Sequence, residues 1–210
     1  MSTVIDNNER FLYERPSVER KDEIISFLEE FVEAHSEING TGGLDKVLKG
    51  WTFEQAYERC MRTEDKEYAE SIGKCPGKTF WLIRKNDDKI VGTINIRWDL
   101  NEKMLRFAGH IGYGIRPSER RKGYSKLNLY MGLKEAQKLG LDRVMIGCSA
   151  SNTGSEKTIL ALGGILERRG IDPEDGEESC VYWIDVNKSL EEYKDVYERY
   201  LAGESHFPMQ

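Results

Sequence analysis

The spacing of apolar residues predicts one strand and two amphipathic helices in the first third of the chain. Residues 11–15 predict a short opening strand. After Ser17, apolar residues recur at helical spacing with glutamates between them, which predicts a long amphipathic helix; these apolar residues are Ile24, Phe27, Leu28, Phe31 and Val32. Glycines within residues 40–43 end this pattern. Thr52 and Gln55 then form a capping box that opens a second helix.

Further apolar patterns predict a sheet with two more helices. Residues 79–84 and 90–98 predict a hairpin, because turn-forming residues separate them and isoleucines alternate along the second segment. Residues 109–116 predict the next strand. The pattern then predicts a helix, a strand, a short helix and two strands, which lie over residues 129–136, 144–148, 155–162, 165–169 and 181–186.

The end of the chain predicts one more helix. Ser189 and Glu192 form a second capping box, which predicts a helix reaching about Tyr200. The whole order of elements predicts an α/β domain around one mixed sheet. Because no repeat or Pro/Ser-rich linker interrupts the pattern, we expect a single domain over residues 1–210, with a helical extension over about 187–210.

Composition narrows the classes of partner. The 210 residues include 31 Lys and Arg against 37 Asp and Glu, for a net charge of −6, which argues against a nucleic-acid binder. No run of 18 apolar residues occurs, and residues 1–9 are polar and acidic, so we expect a cytoplasmic protein without membrane contact. The four cysteines lack zinc-ligand spacing, so no metal site is expected.

The strongest chemical signal is the segment over residues 116–125, between a predicted strand and a predicted helix. The first N–H groups of a helix lack partners inside it, and Gly123 permits close approach to the backbone. Arg120, Arg121 and Lys122 add positive charge to an acidic chain. These features predict a phosphate site, although three solvated cations and a turn glycine would give the same pattern.

The same segment resembles a known family. Arg120-x-x-Gly123-x-Ser125 is similar to the pyrophosphate loop of the GNAT superfamily of N-acetyltransferases, (Arg/Gln)-x-x-Gly-x-(Gly/Ala), with Ser125 as a departure. Asn152, Ser155 and the pair Gly163-Gly164 are similar to the family's downstream pattern. The resemblance implies a GNAT-like α+β fold, a mixed but mostly antiparallel sheet flanked by helices, with the C-terminal helix as an addition.

The resemblance also implies a cofactor and its binding residues. The cofactor would be acetyl-CoA, bound by a core over about residues 79–186, with the acetyl group passing directly to a primary amine of a small molecule or peptide. Ile115 would offer main-chain hydrogen bonds to pantetheine, and Asn152 and Ser155 would flank the pantetheine arm. The pyrophosphate would lie on the backbone of Arg120, Arg121, Lys122, Gly123, Tyr124 and Ser125. A homodimer is only the generic expectation.

Proton transfer leaves several alternatives. A lysine-like amine has a pKa near 10.4, so a base or a water chain must take its proton. His110 is the first candidate for this base, against the alternative of a structural histidine bonded to the backbone. Asp99 and Glu102 are further candidates. Glycines at 112 and 114, on the predicted face of His110, indicate close approach of a ligand or of backbone.

The general acid is equally open. The tyrosine that many family members place four residues before the glycine pair is Ile159 in this chain. Tyr124 or Tyr182 could substitute, and coenzyme A thiolate could also leave without an acid. Cys148 is interpreted as an inert buried thiol. The missing tyrosine motivates an alternative function, a catalytically weak acyl-CoA-binding or regulatory domain, and transfer of a longer acyl group also stays open.

Overall fold

The first half of the chain contains three helices between two strands. The computed structural model describes residues 4–173 and 175–202. The predicted opening strand and both predicted helices are confirmed, and the capping box of Thr52 and Gln55 forms with both of its hydrogen bonds. A short third helix, capped by Asp65, was not predicted. These elements are β1 (Phe11–Glu14), α1 (Lys21–Glu33), α2 (Phe53–Arg62) and α3 (Lys66–Ser71).

The second half contains six strands and three helices in the predicted order. A π-helical turn over Met104–Ala108 precedes β4, so His110 lies just before that strand. The elements are β2 (Gly77–Arg84), β3 (Lys89–Arg97), β4 (Ile111–Ile115), α4 (Tyr124–Lys138), β5 (Arg143–Ser149), α5 (Thr153–Leu160), β6 (Ile165–Ile171), β7 (Glu178–Asp185) and α6 (Val186–Tyr197).

The expected single sheet is divided into two. The strand orders are β1-β2-β3-β4 and β5-β7-β6, and every neighbouring pair is antiparallel. The two sheets meet where the N–H of His110 donates to the carbonyl of Met145 at 2.7 Å and Gly109 forms a bridge with Ile146. Among the described residues no ladder continues from there between β4 and β5.

Helices cover both faces of the four-stranded sheet. Alternate residues of β2 point to opposite sides: Trp81 and Ile83 pack with α1 and α2, whereas Phe80 and Leu82 pack with α4 and α6. Ile94 and Ile96, which share the second face as predicted, are fully buried. The strand period of two thus accounts for the division of the core between the two faces.

The predicted start of the last helix is wrong by several residues. The Asp185 carboxylate accepts the N–H of Lys188 at 2.9 Å, so α6 begins at Val186. Ser189 lies inside the helix, where its buried hydroxyl donates to the carbonyl of Leu162 at 2.8 Å and is unavailable as a cap. Residues 203–210 of the predicted extension lie outside the described residues. Within the described ranges, no helix is long and apolar enough to cross a membrane.

Candidate functional site

A cleft of about 970 Å³ opens where the two sheets separate. Its walls come from the start of β4, the end of β5, the loop between α1 and α2, and the start of α5. Ile111, Gly112 and Tyr113 supply the β4 wall, while Asn152 and Ser155 supply part of the α5 wall. The cleft therefore brings two of the predicted site residues together with the strand that precedes the predicted phosphate loop.

The backbone of β4 has unused hydrogen-bonding groups on the side away from β3. The N–H of Arg97 donates to the carbonyl of His110 at 2.7 Å, and the N–H of Arg116 donates to the carbonyl of Val91 at 2.9 Å. In an antiparallel ladder, every second residue is hydrogen-bonded to the neighbouring strand. The residues of β4 that are hydrogen-bonded to β3 between these two ends are therefore Gly112 and Gly114. The N–H groups of the intervening residues, Ile111, Tyr113 and Ile115, consequently point toward the gap beside β5.

Backbone contact explains the two glycines of β4. The loop between α1 and α2 lies against this strand: a Cβ on Gly114 would lie 3.1 Å from the carbonyl oxygen of Asn39. A Cβ on Gly112 would lie 3.5 Å from the backbone nitrogen of Gly40. Of the two explanations predicted for these glycines, the structure supports the approach of another backbone segment.

The predicted phosphate loop has a backbone suited to an anion. Arg121 and Gly123 adopt positive φ angles of 66° and 89°, and Gly123 caps α4. Successive N–H groups in such turns form a concave anion-binding nest. The N–H groups of Arg121, Lys122 and Gly123 donate to no acceptor in the part of the chain that the structure describes. The start of α4, at Tyr124 and Ser125, continues this series of donors.

Two of the three predicted cations, although exposed, contact other parts of the loop and of its flanking segment. Nε of Arg120 donates to the carbonyl of Ile115 at 3.2 Å. Nζ of Lys122 lies 2.7 Å from the carboxylate of Glu119, which is buried and also binds Arg84 and Lys89. Although burial opposes ionisation, hydrogen bonds from these cations lower the pKa of Glu119 to about 2. Arg121 is exposed.

Asn152, Ser155 and Ser125 tie the two helix starts to the cleft. The side-chain oxygen of Asn152 caps α5 by accepting the N–H of Ser155 at 3.0 Å. The hydroxyl of Ser125, at the start of α4, accepts a hydrogen bond from Thr158 of α5 at 3.0 Å. The capping contact holds the Asn152 side chain at the start of α5, where Asn152 and Ser155 line the cleft.

Tyr113 is a site residue that the sequence reasoning missed. Its hydroxyl lies 2.8 Å from the hydroxyl of Ser155 and lines the cleft at the end of α5 nearest β4. Burial raises the pKa of Tyr113 above its ordinary value, so the phenol keeps its proton at neutral pH. Its position between Gly112 and Gly114 was the available signal, because it is the first large polar side chain on the opposite face of that strand.

The contacts of His110 favour the structural alternative. Its Nδ1 accepts the N–H of Met145 at 2.9 Å, and its ring packs 6.0 Å from the ring of Trp183. His110 is absent from the residues that line the cleft. Burial, together with the nearby charge of Arg97, lowers the pKa of His110 to about 4. Its role as a base stays a prediction, without support from this geometry.

The predicted acids are also engaged elsewhere. The hydroxyl of Tyr124 donates to Glu9 at 2.6 Å and accepts from Arg84 at 3.1 Å. The hydroxyl of Tyr182 donates to Glu156 at 3.0 Å. Burial raises the pKa of both phenols, and neither residue lines the cleft.

The remaining candidates lie apart from the chemistry or are inert. Asp99 is exposed and pairs with Lys66 at 3.1 Å, and Glu102 is exposed; neither lines the cleft. Ile159 is completely buried. Cys148 does line the cleft, but burial raises its pKa to about 11, which keeps the thiol protonated.

Solved structures share this fold. The ribosomal-protein-S5-alanine acetyltransferase of Vibrio fischeri superposes with a TM-score of 0.62 at 18% identity, covering 84% of this chain and 94% of that one. The microcin C7 self-immunity acetyltransferase MccE, solved with acetyl-CoA and AMP, gives a TM-score of 0.59 at 16% identity, covering 87% and 96%. These likenesses confirm the predicted α+β fold.

Sequence comparison identifies the family. The uncharacterized N-acetyltransferase YjdG of Bacillus subtilis is 31% identical over 117 residues, which are 51% of this chain and 60% of that protein. The model of the "Acetyltransferase (GNAT) family" matches residues 45–163, more than half of the chain. The predicted enzyme class is thereby confirmed, and the chain belongs to the GNAT acetyltransferase family.

Proposed function

We propose that the protein transfers the acetyl group of acetyl-CoA to a primary amine of a small molecule or peptide. The amine attacks the thioester directly, within a single domain over residues 1–210. One observation carries this proposal: the unused N–H groups run along the free edge of β4, whose start lines the cleft, and continue past the other end of that strand in the loop before α4. An acceptor can enter that cleft from the end opposite the loop.

The residues present fit acetyl-CoA. In this proposal the N–H groups from Arg121 to Ser125 bind the pyrophosphate, while the side chains of Arg120 and Lys122 hold the loop in place. The N–H of Ile115 bonds the pantetheine arm, and Asn152 and Ser155 flank that arm from α5. A bare helix dipole contributes only about 0.3–1 kcal/mol, so these several hydrogen bonds are needed for useful affinity.

The start of β4 stabilises the reacting carbonyl. Acetyl-CoA, when bound, supplies the thioester that the amine attacks. The N–H groups of Ile111 and Tyr113 point into the gap beside β5 and are held rigidly by the ladder to β3. Fixed N–H donors of this kind stabilise negative charge that develops on a carbonyl oxygen.

Tyr113 supplies the proton for the departing sulfur. Its phenol is protonated at neutral pH, lines the cleft and is oriented by Ser155 at 2.8 Å. It reaches the cleft from β4 on the same side of the sheet as α5, which carries Ile159 where many relatives have a tyrosine. The amine itself loses its proton to solvent, at a free-energy cost of about 4–5 kcal/mol at pH 7 for a lysine-like pKa.

Thermal unfolding with acetyl-CoA, coenzyme A or NADH tests the cofactor site first. At 100 times its dissociation constant a ligand adds about 2.7 kcal/mol to the free energy of unfolding. For a chain of this size, that corresponds to a rise in Tm of roughly 5–10 °C. We expect this rise with acetyl-CoA and coenzyme A but not with NADH. The absence of any shift at millimolar acetyl-CoA would contradict the assignment of the loop.

An amine panel separates transfer from mere binding. Formation of free coenzyme A thiol with at least one primary amine, above the rate of hydrolysis, is the expected result. Stabilisation by acetyl-CoA without transfer to any amine would instead favour the catalytically weak acyl-CoA-binding domain. The cytoplasmic location and the homodimer stay predictions.

A further inference from the structure

The acceptor half of the cleft is strongly basic in a chain whose net charge is −6. Six cationic side chains line it, and they come from the segment after α1, from α2, from the loop after α3, from β3 and from the loop before β4. They are Lys46, Lys49, Arg59, Lys74, Arg97 and Lys103.

These cations lie away from the phosphate loop. Arg97 ends β3 and is paired with the start of β4, where its guanidinium lies 3.7 Å from the Cβ position of Gly112. The loop at Arg120 follows the other end of β4. Five extended residues span roughly 16 Å, so the pyrophosphate site and Arg97 are separated by about that length. The cluster consequently faces the acceptor rather than the cofactor's pyrophosphate.

Three of the cations have no ion-pair partner among the residues that the structure describes. Arg59, Lys74 and Arg97 form no ion pair with any residue in the described ranges. Nε of Arg97 is buried without a hydrogen-bond partner there. A buried polar group in this state costs free energy that a ligand can recover.

Electrostatics agrees with this geometry. Partial burial and four neighbouring cations, Arg59, Lys103, Lys46 and Arg97, lower the pKa of Lys74. Burial likewise lowers the pKa of Arg97. Carboxylates do line the cleft, at Glu37, Asp45, Asp175 and Glu177, and Asp45 accepts a hydrogen bond from Thr41. Arg59, Lys74 and Arg97 converge without an ion pair in the described ranges, which is typical of a site that binds an opposite charge.

We propose that this cluster is an anion-binding subsite that selects acceptors carrying a carboxylate or phosphate group in addition to the primary amine. The inference rests on the proposed acetyl transfer and names the class of its acceptor. Arg59, Lys74 and Arg97 bind the anionic group, which places the amine toward Tyr113 at the thioester end of the cleft. Polyamines are disfavoured because their charge repels the same residues.

Matched alkyl amines test the selection. The probes are 4-aminobutanoate, 4-aminobutyl phosphate, 4-aminobutanol and 1,4-diaminobutane. Each is also tested as homologues with chains of three to six carbons, so that the distance between the amine and the second group does not decide the outcome. We expect kcat/KM for an anionic probe to exceed that for the alcohol by about tenfold or more, because a hydrogen bond to a charged group contributes about that factor. The diamine should have the lowest kcat/KM of the four probes. The anionic probe with the higher kcat/KM, carboxylate or phosphate, identifies the group that the subsite binds. This preference should weaken with added salt.

Two variants test whether Arg97 and Lys74 cause the preference for anionic acceptors. Arg97→Gln and Lys74→Gln should each bring the anionic and neutral probes to within about threefold, with acetyl-CoA affinity unchanged. Lys74 is exposed, so its variant tests the subsite even where loss of Arg97 lowers stability. Lys138→Gln, on α4 outside the cleft, removes the same charge and should keep the preference. Unchanged preference in both cleft variants, or weaker acetyl-CoA binding, would overturn the subsite.

A binding measurement without acetyl-CoA completes the test. Butyl phosphate, which has no amine, should raise the unfolding temperature of the wild type and of Gly123→Val, but not of Arg97→Gln. Acetyl transfer to neutral amines with no such response would overturn the subsite and leave the proposed function intact. Absence of transfer to every amine would overturn the proposed function itself.

Discussion

Tyr113 and Ser155 connect β4 to α5 across the cleft through hydroxyls 2.8 Å apart. This pair places a protonated phenol at the cleft, on the side of the sheet where α5 lies, while Ile159 of that helix takes no part in the cleft surface. A neighbouring strand can thus supply a group that the helix lacks. The alternation of the strand determines which residue does so, because Gly112 and Gly114 face the loop between α1 and α2.

Replacement of Tyr113 by Phe tests its role as the acid. We expect kcat to fall about 10- to 100-fold, since the leaving sulfur then departs without a proton donor. The affinity for acetyl-CoA should stay within about twofold. Tyr182→Phe, which removes a phenol outside the cleft, is the matched control and should keep kcat. Wild-type kcat in Tyr113→Phe would mean that the thiolate leaves unaided.

His110 is expected to affect stability rather than catalysis. Its pKa is about 4 in the folded protein against 6.5 when unfolded, so between these values the unfolded chain binds the extra proton. The stabilisation is therefore complete above pH 6.5 and is lost as the pH falls toward 4. Urea unfolding at several pH values should show this loss in the wild type.

The variant His110→Asn distinguishes the two roles. Its amide oxygen can still accept the N–H of Met145, but it does not titrate, so the decline between pH 6.5 and 4 should be reduced. We expect kcat near the wild-type value. A fall in kcat of about 100-fold, with loss of the decline in rate on the acidic side of the pH–rate profile, would restore His110 as the general base.

At the scale of elements, the loop before α4 depends on its left-handed turn. Gly123 has φ +89°, and a β-branched residue there costs roughly 1–2 kcal/mol and crowds the N–H groups that the pyrophosphate needs. Gly123→Val should therefore lose acetyl-CoA binding while remaining folded. Gly140, at the end of α4, has φ +79° with nothing within 4 Å of its Cβ position. Gly140→Val should show similar strain but normal binding; equal binding in both variants would contradict the loop assignment.

Periodicity predicted most elements because each long element buries a regular apolar face. The helix at Lys66–Ser71 escaped prediction because its six residues bury only Ala69. The start of α6 was wrong because Asp185 and Ser189 both have capping chemistry, and only tertiary contact with Leu162 decides between them. Local sequence thus predicts an element's type better than its boundaries.

At the scale of the molecule, the phosphate loop could be predicted and the basic cleft could not. The loop is contiguous in sequence, so its glycine and cations are visible together. The cleft cations lie between Lys46 and Lys103 on separate segments, and the fold alone brings them together. The position of His110 off the strand also depends on the π-helical turn at Met104–Ala108, which no periodic pattern marks.

Because the sheet is divided at β4, the amides of this strand can report whether acetyl-CoA binds in the gap between the two sheets. Amides of Gly112 and Gly114 are bonded within the ladder to β3, whereas those of Ile111, Tyr113 and Ile115 face the gap between the sheets. If acetyl-CoA binds between β4 and β5, residue-resolved hydrogen exchange should slow at the three gap-facing amides. The two glycine amides serve as controls in the same strand and should change little. Equal protection of all five would indicate global stabilisation, and protection of none would exclude β4 as the cofactor's binding edge.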